Sequence, residues 1–111
     1  MSKYRARPTT VDGIRFDSLR EARRWAELVL MERAGEIREL NRQVPIELQG
    51  RDGPILTDRT GKPRTYVADF AYRDRRLGWA QVFEDAKGHP TPEYRLKKAI
   101  LAAQGVSVRE T

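Results

Sequence analysis

Two runs of β-forming residues, Thr65 to Tyr72 and Trp79 to Ala86, stand on either side of the polar stretch Arg73 to Gly78. They constrain the fold more than any other part of the chain, because runs so close in sequence, joined by turn-forming residues, pair as an antiparallel hairpin. Upstream, Thr9, Thr10 and Val11 precede Asp12-Gly13, and Ile14, Arg15 and Phe16 follow, the pattern of a short hairpin closed by a two-residue turn. Ser18 and Glu21 have capping-box spacing, and Ala22, Trp25, Ala26 and Val29 recur at helical intervals until Ala34-Gly35. The period then changes. Val44, Ile46 and Leu48 alternate with Pro45, Glu47 and Gln49 as in a strand with one exposed face, and Pro45 suggests a sheet edge. Gly50 to Pro63 reads as an irregular excursion.

Thr91-Pro92 supplies a cap and a first-turn proline for a second helix, with Leu96, Ile100 and Ala103 expected inward and Arg95, Lys97 and Lys98 outward. Gly105 ends it, and Val106 to Arg109 read as a last strand. The order is hairpin, helix, three strands, helix, strand. That order predicts an α/β (α+β) fold in which a mixed sheet is flanked by helices, with no internal repeat.

Length and charge bound the rest. The 111 residues suit one domain, expected over residues 9 to 111, preceded by a flexible basic arm at residues 1 to 8 that carries Lys3, Arg5 and Arg7. Hydrophobic residues make up 39% of the chain, enough for a core, while 34% are charged, which favours a solvated surface. Lys and Arg outnumber Asp and Glu by 22 to 16, and the net charge of +6 favours polyanionic partners, nucleic acid before a membrane surface. No stretch approaches the roughly 20 apolar residues of a membrane span, and no signal segment follows the basic start, so a cytoplasmic location is expected. Cysteine is absent, which excludes disulfides, thiolate zinc sites and cysteine nucleophiles. Any metal must sit on oxygen or on the single histidine, His89.

The carboxylates carry the chemistry. Asp is disfavoured within strands and costly to bury unless paired, protonated or cation-bound, yet Asp69 lies in the apolar run Tyr66 to Tyr72. In the next run, Asp85 and Lys87 share a face by the period of two, and antiparallel pairing brings Asp69 beside them. Two carboxylates and an ammonium at adjacent strand ends suit a hard divalent cation such as Mg2+ or Mn2+ with its waters. The competing reading is a set of ion pairs, with Lys87 on Asp85 and Asp69 on an arginine. Glu84 points to the face opposite Asp85 in a regular strand, where it reads as solvated or arginine-paired.

Asp12 to Ser18, Glu21-Ala22, the strand Tyr66-Val67-Ala68-Asp69-Phe70 and Glu84-Asp85-Ala86-Lys87-Gly88 together resemble a family of small phage and prophage proteins of the PD-(D/E)XK, restriction-endonuclease-like nuclease superfamily, often described as junction-resolvase-like. The resemblance covers nearly the whole chain. It implies an αβββαβ core, with Asp69 and Asp85 as metal-binding carboxylates, Lys87 orienting or deprotonating the attacking water, and Glu21 completing the site from the first helix. The implied activity is Mg2+- or Mn2+-dependent hydrolysis of phosphodiester bonds in DNA, branched or junction DNA included, in a bacterial or phage-infected cell. Junction cleavage would favour a homodimer. Ala68 stands where the superfamily pattern has proline.

Glu21 has a second reading as an ordinary capping-box residue. Gln43 reaches toward the site from the first core strand or is a plain polar strand residue. Lys97, Lys98, His89, Lys3, Arg5 and Arg7 are candidates for the nucleic-acid backbone, against the simpler reading of solvated charge. Arg20, Arg23 and Arg24 have the same two readings, while Trp25 and Phe70 read as core. The alternative function is a non-catalytic basic nucleic-acid-binding phage protein that keeps the nuclease fold. It accounts for the charge but gains nothing from carboxylates that repel phosphate. A third reading, a structural phage protein that binds other proteins, requires a large apolar surface patch.

Overall fold

The computed structural model describes residues 8–86 and 91–111. Lys3, Arg5, Arg7, Lys87 and His89 lie outside the described residues, as does nearly all of the expected N-terminal arm.

Strand β1 (Thr9–Val11) turns back antiparallel into β2 (Ile14–Phe16). Asp12 and Gly13 take φ of 51° and 80° at the turn, the doubly left-handed geometry whose twist matches the strands it joins. Helix α1 (Leu19–Arg33) starts where the Ser18 hydroxyl accepts the Glu21 N–H at 3.1 Å, a cap worth about 1 kcal/mol. Gly35, at φ 78°, carries the chain out of it.

The central sheet is mixed and four-stranded, in the order β3-β6-β7-β8. Strand β3 (Ile37–Glu47) lies at one edge, which is what Pro45 predicts, since an edge position tolerates a missing N–H. The chain then makes a small ladder of β4 (Gln49–Gly50) and β5 (Gly53–Pro54) within the otherwise irregular excursion. Strand β6 (Thr65–Asp74) runs antiparallel to both β3 and β7 (Ala80–Asp85), and a short turn of 3-10 helix at Arg75–Leu77 joins it to β7. After helix α2 (Pro92–Ala103), strand β8 (Val108–Glu110) pairs parallel with β7. The order α1, β3, β6, β7, α2, β8 is the expected αβββαβ arrangement.

Two hydrophobic clusters hold the helices on the sheet. Leu28 of α1 packs with Ile37, Phe70, Tyr72, Val82 and Ala86, and Trp25 stacks on Phe70 at 6.0 Å. Tyr94 and Leu101 of α2 pack with Leu48, Tyr66 and Ala68, and Phe83 joins them. Val82 and Phe83 are neighbours in β7, so the two helices cover opposite faces of that strand. On β6 the residues before and after Asp69 belong to different clusters: Tyr66 and Ala68 to that of α2, Phe70 and Tyr72 to that of α1. The strand passes from one layer to the other at Asp69.

Three expectations need correction. Strand β3 begins at Ile37, well before Val44. Its first half escapes the alternation test because Glu39 and Gln43 take φ of 55° and 50° and the register with β6 shifts between Arg38 and Asn41. The inward face of α2 is Tyr94 and Leu101, with Ile100 half-buried, whereas Leu96 is 62% exposed and Ala103 also faces outward. Tyr94, Lys98 and Leu101 share helical spacing with the expected set, and lysine stems cover apolar surface while their heads find partners, so Lys97 and Lys98 are half-buried instead of free. Finally, β8 starts at Val108, two residues later than Val106.

Candidate active site: a row of carboxylates across the sheet

Phe70 pairs with Glu84 in the β6-β7 ladder, so Asp69 and Asp85 face each other one step further along. Their side chains replace the ladder where it ends: the Asp69 N–H donates to Asp85 Oδ1 at 2.9 Å, and the Ala86 N–H donates to Asp69 Oδ2 at 2.9 Å. Each carboxylate therefore has one oxygen held by the backbone. Asp69 is 7% exposed and Asp85 fully buried, and like charges this close in a low-dielectric setting repel. On the other side of β6, Gln43 lies between the pairs Arg42↔Phe70 and Val44↔Ala68, opposite Asp69. The parallel pairing of β7 and β8 sets Glu110 against Asp85.

Glu21 enters this row from the first turn of α1. It is 3% exposed, and Gln43 Nε2 donates to its Oε1 at 3.2 Å. Its pKa is raised, first by burial, then by the charges of Asp69 and Asp17, against a lowering by Arg42 and by the backbone N–H of Asp17. The Ser18 hydroxyl caps the Glu21 N–H, while the Glu21 carboxylate accepts from Gln43 and from the backbone N–H of Asp17 and feels the charge of Asp69. Arg42 Nη2 lies 3.8 Å from Glu21 Oε1 and donates to the Arg15 carbonyl at 3.2 Å, with the guanidinium 4.4 Å above the Phe16 ring. Arg15, Asp17, Glu21, Arg42 and Gln43 line a cleft of about 290 Å³ that opens this end of the row to solvent.

At the other end, burial raises the pKa of the Tyr94 hydroxyl, as do the charges of Asp85 and Glu110. Lys98 Nζ donates to Glu110 at 2.9 Å, and this bond, against the opposing effect of burial and helped by the Lys98 charge and by Tyr94, holds the Glu110 carboxyl below its usual range. Lys97 donates to the Thr65 carbonyl at 3.1 Å and pairs with Glu93 at 3.3 Å. Both lysines thus have partners within the fold.

Glu84 is fully buried on the face of β7 opposite Asp85. Arg24 grips it through Nε at 2.6 Å and Nη2 at 3.1 Å, and the Tyr72 hydroxyl donates a short hydrogen bond to the same carboxylate. Burial pushes the Glu84 pKa up, but the Arg24 and Tyr72 hydrogen bonds and the Arg24 charge together outweigh it, and the carboxyl ends below its ordinary value. Burial and the bond to Glu84 raise the Tyr72 hydroxyl to about 12. Arg24 is therefore a fold residue. Arg20 bonds the Thr111 carbonyl at 3.0 Å, and Arg23 is exposed.

Among the described residues no three Asp, Glu, His or Cys side chains are gathered tightly enough to enclose a metal ion on their own. A cage is not what Mg2+ needs, since it commonly takes one or two carboxylates and completes its shell with water and phosphate oxygens. The Asp69-Asp85 pair has that donor chemistry.

A family model described as "Protein of unknown function (DUF1064)" matches residues 1–111. The chain belongs to this family. No curated protein and no solved structure matches the chain. The family description names no chemistry, so what the row does must come from its residues. Of the expected site residues, Asp69 and Asp85 come together, and Glu21 lies near enough to feel the charge of Asp69. Sequence reasoning missed Arg42, Tyr94 and Glu110. The period of two in the last strand, once set parallel to β7, is the one signal that could have pointed to Glu110.

Proposed function

We propose that the protein is a Mg2+- or Mn2+-dependent endonuclease that hydrolyses phosphodiester bonds in DNA, with Asp69, Asp85 and Glu21 holding the cation and Lys87 serving the attacking water. The observation that carries this reading is the side-by-side placement of Asp69 and Asp85, each oriented by a backbone N–H. A scaffold built only to pack has no use for two buried carboxylates facing each other. When bound, a divalent cation there supplies positive charge for the scissile phosphate and makes water more acidic. The chain's own part is to fix the carboxylate oxygens, keep Glu21 near Asp69, and bring the Lys87 ammonium toward the oxygens that gain negative charge as water adds to phosphorus.

Further support comes from the order of elements, which is that of the PD-(D/E)XK core, and from the net charge of +6, which favours a polyanion. No described helix is long and apolar enough to cross a membrane, in keeping with action in a bacterial or phage-infected cytoplasm. Branched or junction DNA is the substrate we favour within this reading, and paired cuts across a junction call for two sites, hence a homodimer.

The test is incubation of labelled branched, single-stranded and duplex DNA with Mg2+ or Mn2+, comparing wild type with Asp85→Ala and Lys87→Ala. Cleavage that both substitutions abolish while salt-sensitive binding persists is the expected result. Binding without cleavage by wild type would favour the non-catalytic module instead. Equal cleavage by all three proteins would expose a contaminant and end the proposal.

A further inference from the structure

Gln43 is neither glycine, asparagine nor aspartate, yet it sits in the middle of β3 at φ 50°. An L-residue with a long side chain avoids this left-handed region, because its Cβ crowds the following carbonyl, and such a residue persists only where its surroundings impose it. Glu39 of the same strand shares this conformation at φ 55°, but Gln43 is the one beside the row. Gln43 is the residue opposite Asp69, at the level where β6 changes hydrophobic layers. Its carboxamide donates to Glu21 Oε1 at 3.2 Å, and both residues line the cleft beside the row. The Arg42 guanidinium, the cation that pairs with Glu21, stands further off at 3.8 Å and is also engaged with the Arg15 carbonyl and the Phe16 ring. Among the described residues, the side-chain hydrogen bond that the sheet gives Glu21 is the one from Gln43.

The geometry points to Gln43 as a positioning residue: its left-handed backbone turns the carboxamide toward α1 and fixes the Glu21 carboxylate beside Asp69. This rests on the reading of the row as a cation-binding nuclease site. Gln43 touches neither substrate nor ion in this role; it acts through Glu21, as hydrogen-bond partners of ligating carboxylates do. The backbone conformation and the side chain also make opposite predictions. Glycine at 43 relieves the left-handed strain but removes the carboxamide, so it separates stability from function.

The experiment compares wild type, Gln43→Gly, Glu21→Ala and the double variant by three measurements: thermal melting, Mn2+ affinity by calorimetry on the protein alone, and DNA cleavage. Gln43→Gly should melt at or above the wild-type temperature while its Mn2+ affinity and kcat fall about 10- to 100-fold, with DNA binding unchanged. In the Glu21→Ala background the same substitution should cause no further loss, because its effect runs through Glu21. Gln43→Ala, which keeps the strain and loses the carboxamide, should lose the same Mn2+ affinity but melt lower. Mn2+ affinity equal in Gln43→Gly and wild type overturns the proposal, including the case in which neither binds the ion. So does an undiminished loss in the Glu21→Ala background. Weaker Mn2+ binding by Gln43→Gly with no DNA cleavage by wild type would leave the positioning role standing and bring down the nuclease reading instead.

Discussion

Glu84 and Asp85 are consecutive residues of one strand, both fully buried, and they face opposite surroundings. Glu84 meets the guanidinium of Arg24 and the hydroxyl of Tyr72, with Arg109 Nη1 donating to that hydroxyl at 3.3 Å. Asp85 meets the backbone of Asp69, another carboxylate residue, and beyond it Glu21. On one face the buried carboxylate is met by a guanidinium and a hydroxyl, and on the other two carboxylates stand side by side. Burial by itself thus does not distinguish a structural carboxylate from a functional one. The sign of what surrounds it does.

This contrast can be broken by substitution. The largest expected effect is on cleavage: Asp85→Asn or Lys87→Ala should lower kcat by roughly 100- to 1000-fold in the labelled-DNA assay, while Glu84→Gln should leave the kcat of the folded fraction within a few-fold. Stability should show the reverse order. Glu84→Gln removes the counter-charge of Arg24 and should cost about 3 kcal/mol, roughly 10 to 20 °C in melting temperature for a domain of this size. Asp85→Asn keeps an oxygen for the Asp69 N–H and removes a like charge, so it should be neutral or stabilising by about 0.5 to 2 kcal/mol. Melting curves for the two amides, taken at one pH, decide between these outcomes; equal losses would erase the distinction between the faces.

A smaller effect lies in the pH dependence of melting. Glu84 has its folded pKa lowered from 4.5, so its contribution is present above the unfolded value and disappears as pH falls through the folded one. Glu21 has its pKa raised from 4.5, so the native state holds the proton more tightly; stability falls as pH rises from the unfolded value through the folded one, and the deficit is complete above both. Glu21→Gln should therefore raise the melting temperature at pH 7 relative to wild type and lose that advantage below about pH 4. Glu84→Gln should show its deficit at pH 7 and approach wild type in acid. The smallest effect belongs to the outer end of the row, where Lys98→Ala should cost no more than about 1 kcal/mol, as expected of a partly exposed ion pair with Glu110.

Much of this arrangement is legible in the residues, for local reasons. Asp12-Gly13 requires two positive φ values, Ser18 and Thr91 supply hydroxyls to helix starts, and Pro45 tolerates an edge; each is a constraint settled within a few residues. The opposition of Asp69 and Asp85 follows from the period of two and a short turn. What escaped is set by tertiary contact. Arg24 and Glu84 are 60 residues apart, and no local pattern announces their pairing. The left-handed conformations of Glu39 and Gln43 go against the preference of their own side chains, so the bulged half of β3 could not be read as a strand. The orientation of α2 turned on whether Leu96 or Tyr94 faces the sheet, and lysine stems made the two faces similar in apolar content.

The passage of β6 from one apolar layer to the other at Asp69 bears on how tightly the site can hold a ligand. Anchors on both flanks, Ala68 beneath one helix and Phe70 beneath the other, leave the intervening main chain little torsional freedom. Ordering that would otherwise accompany capture of a ligand is already complete when the protein folds, and the entropic penalty of association at this carboxylate is correspondingly small.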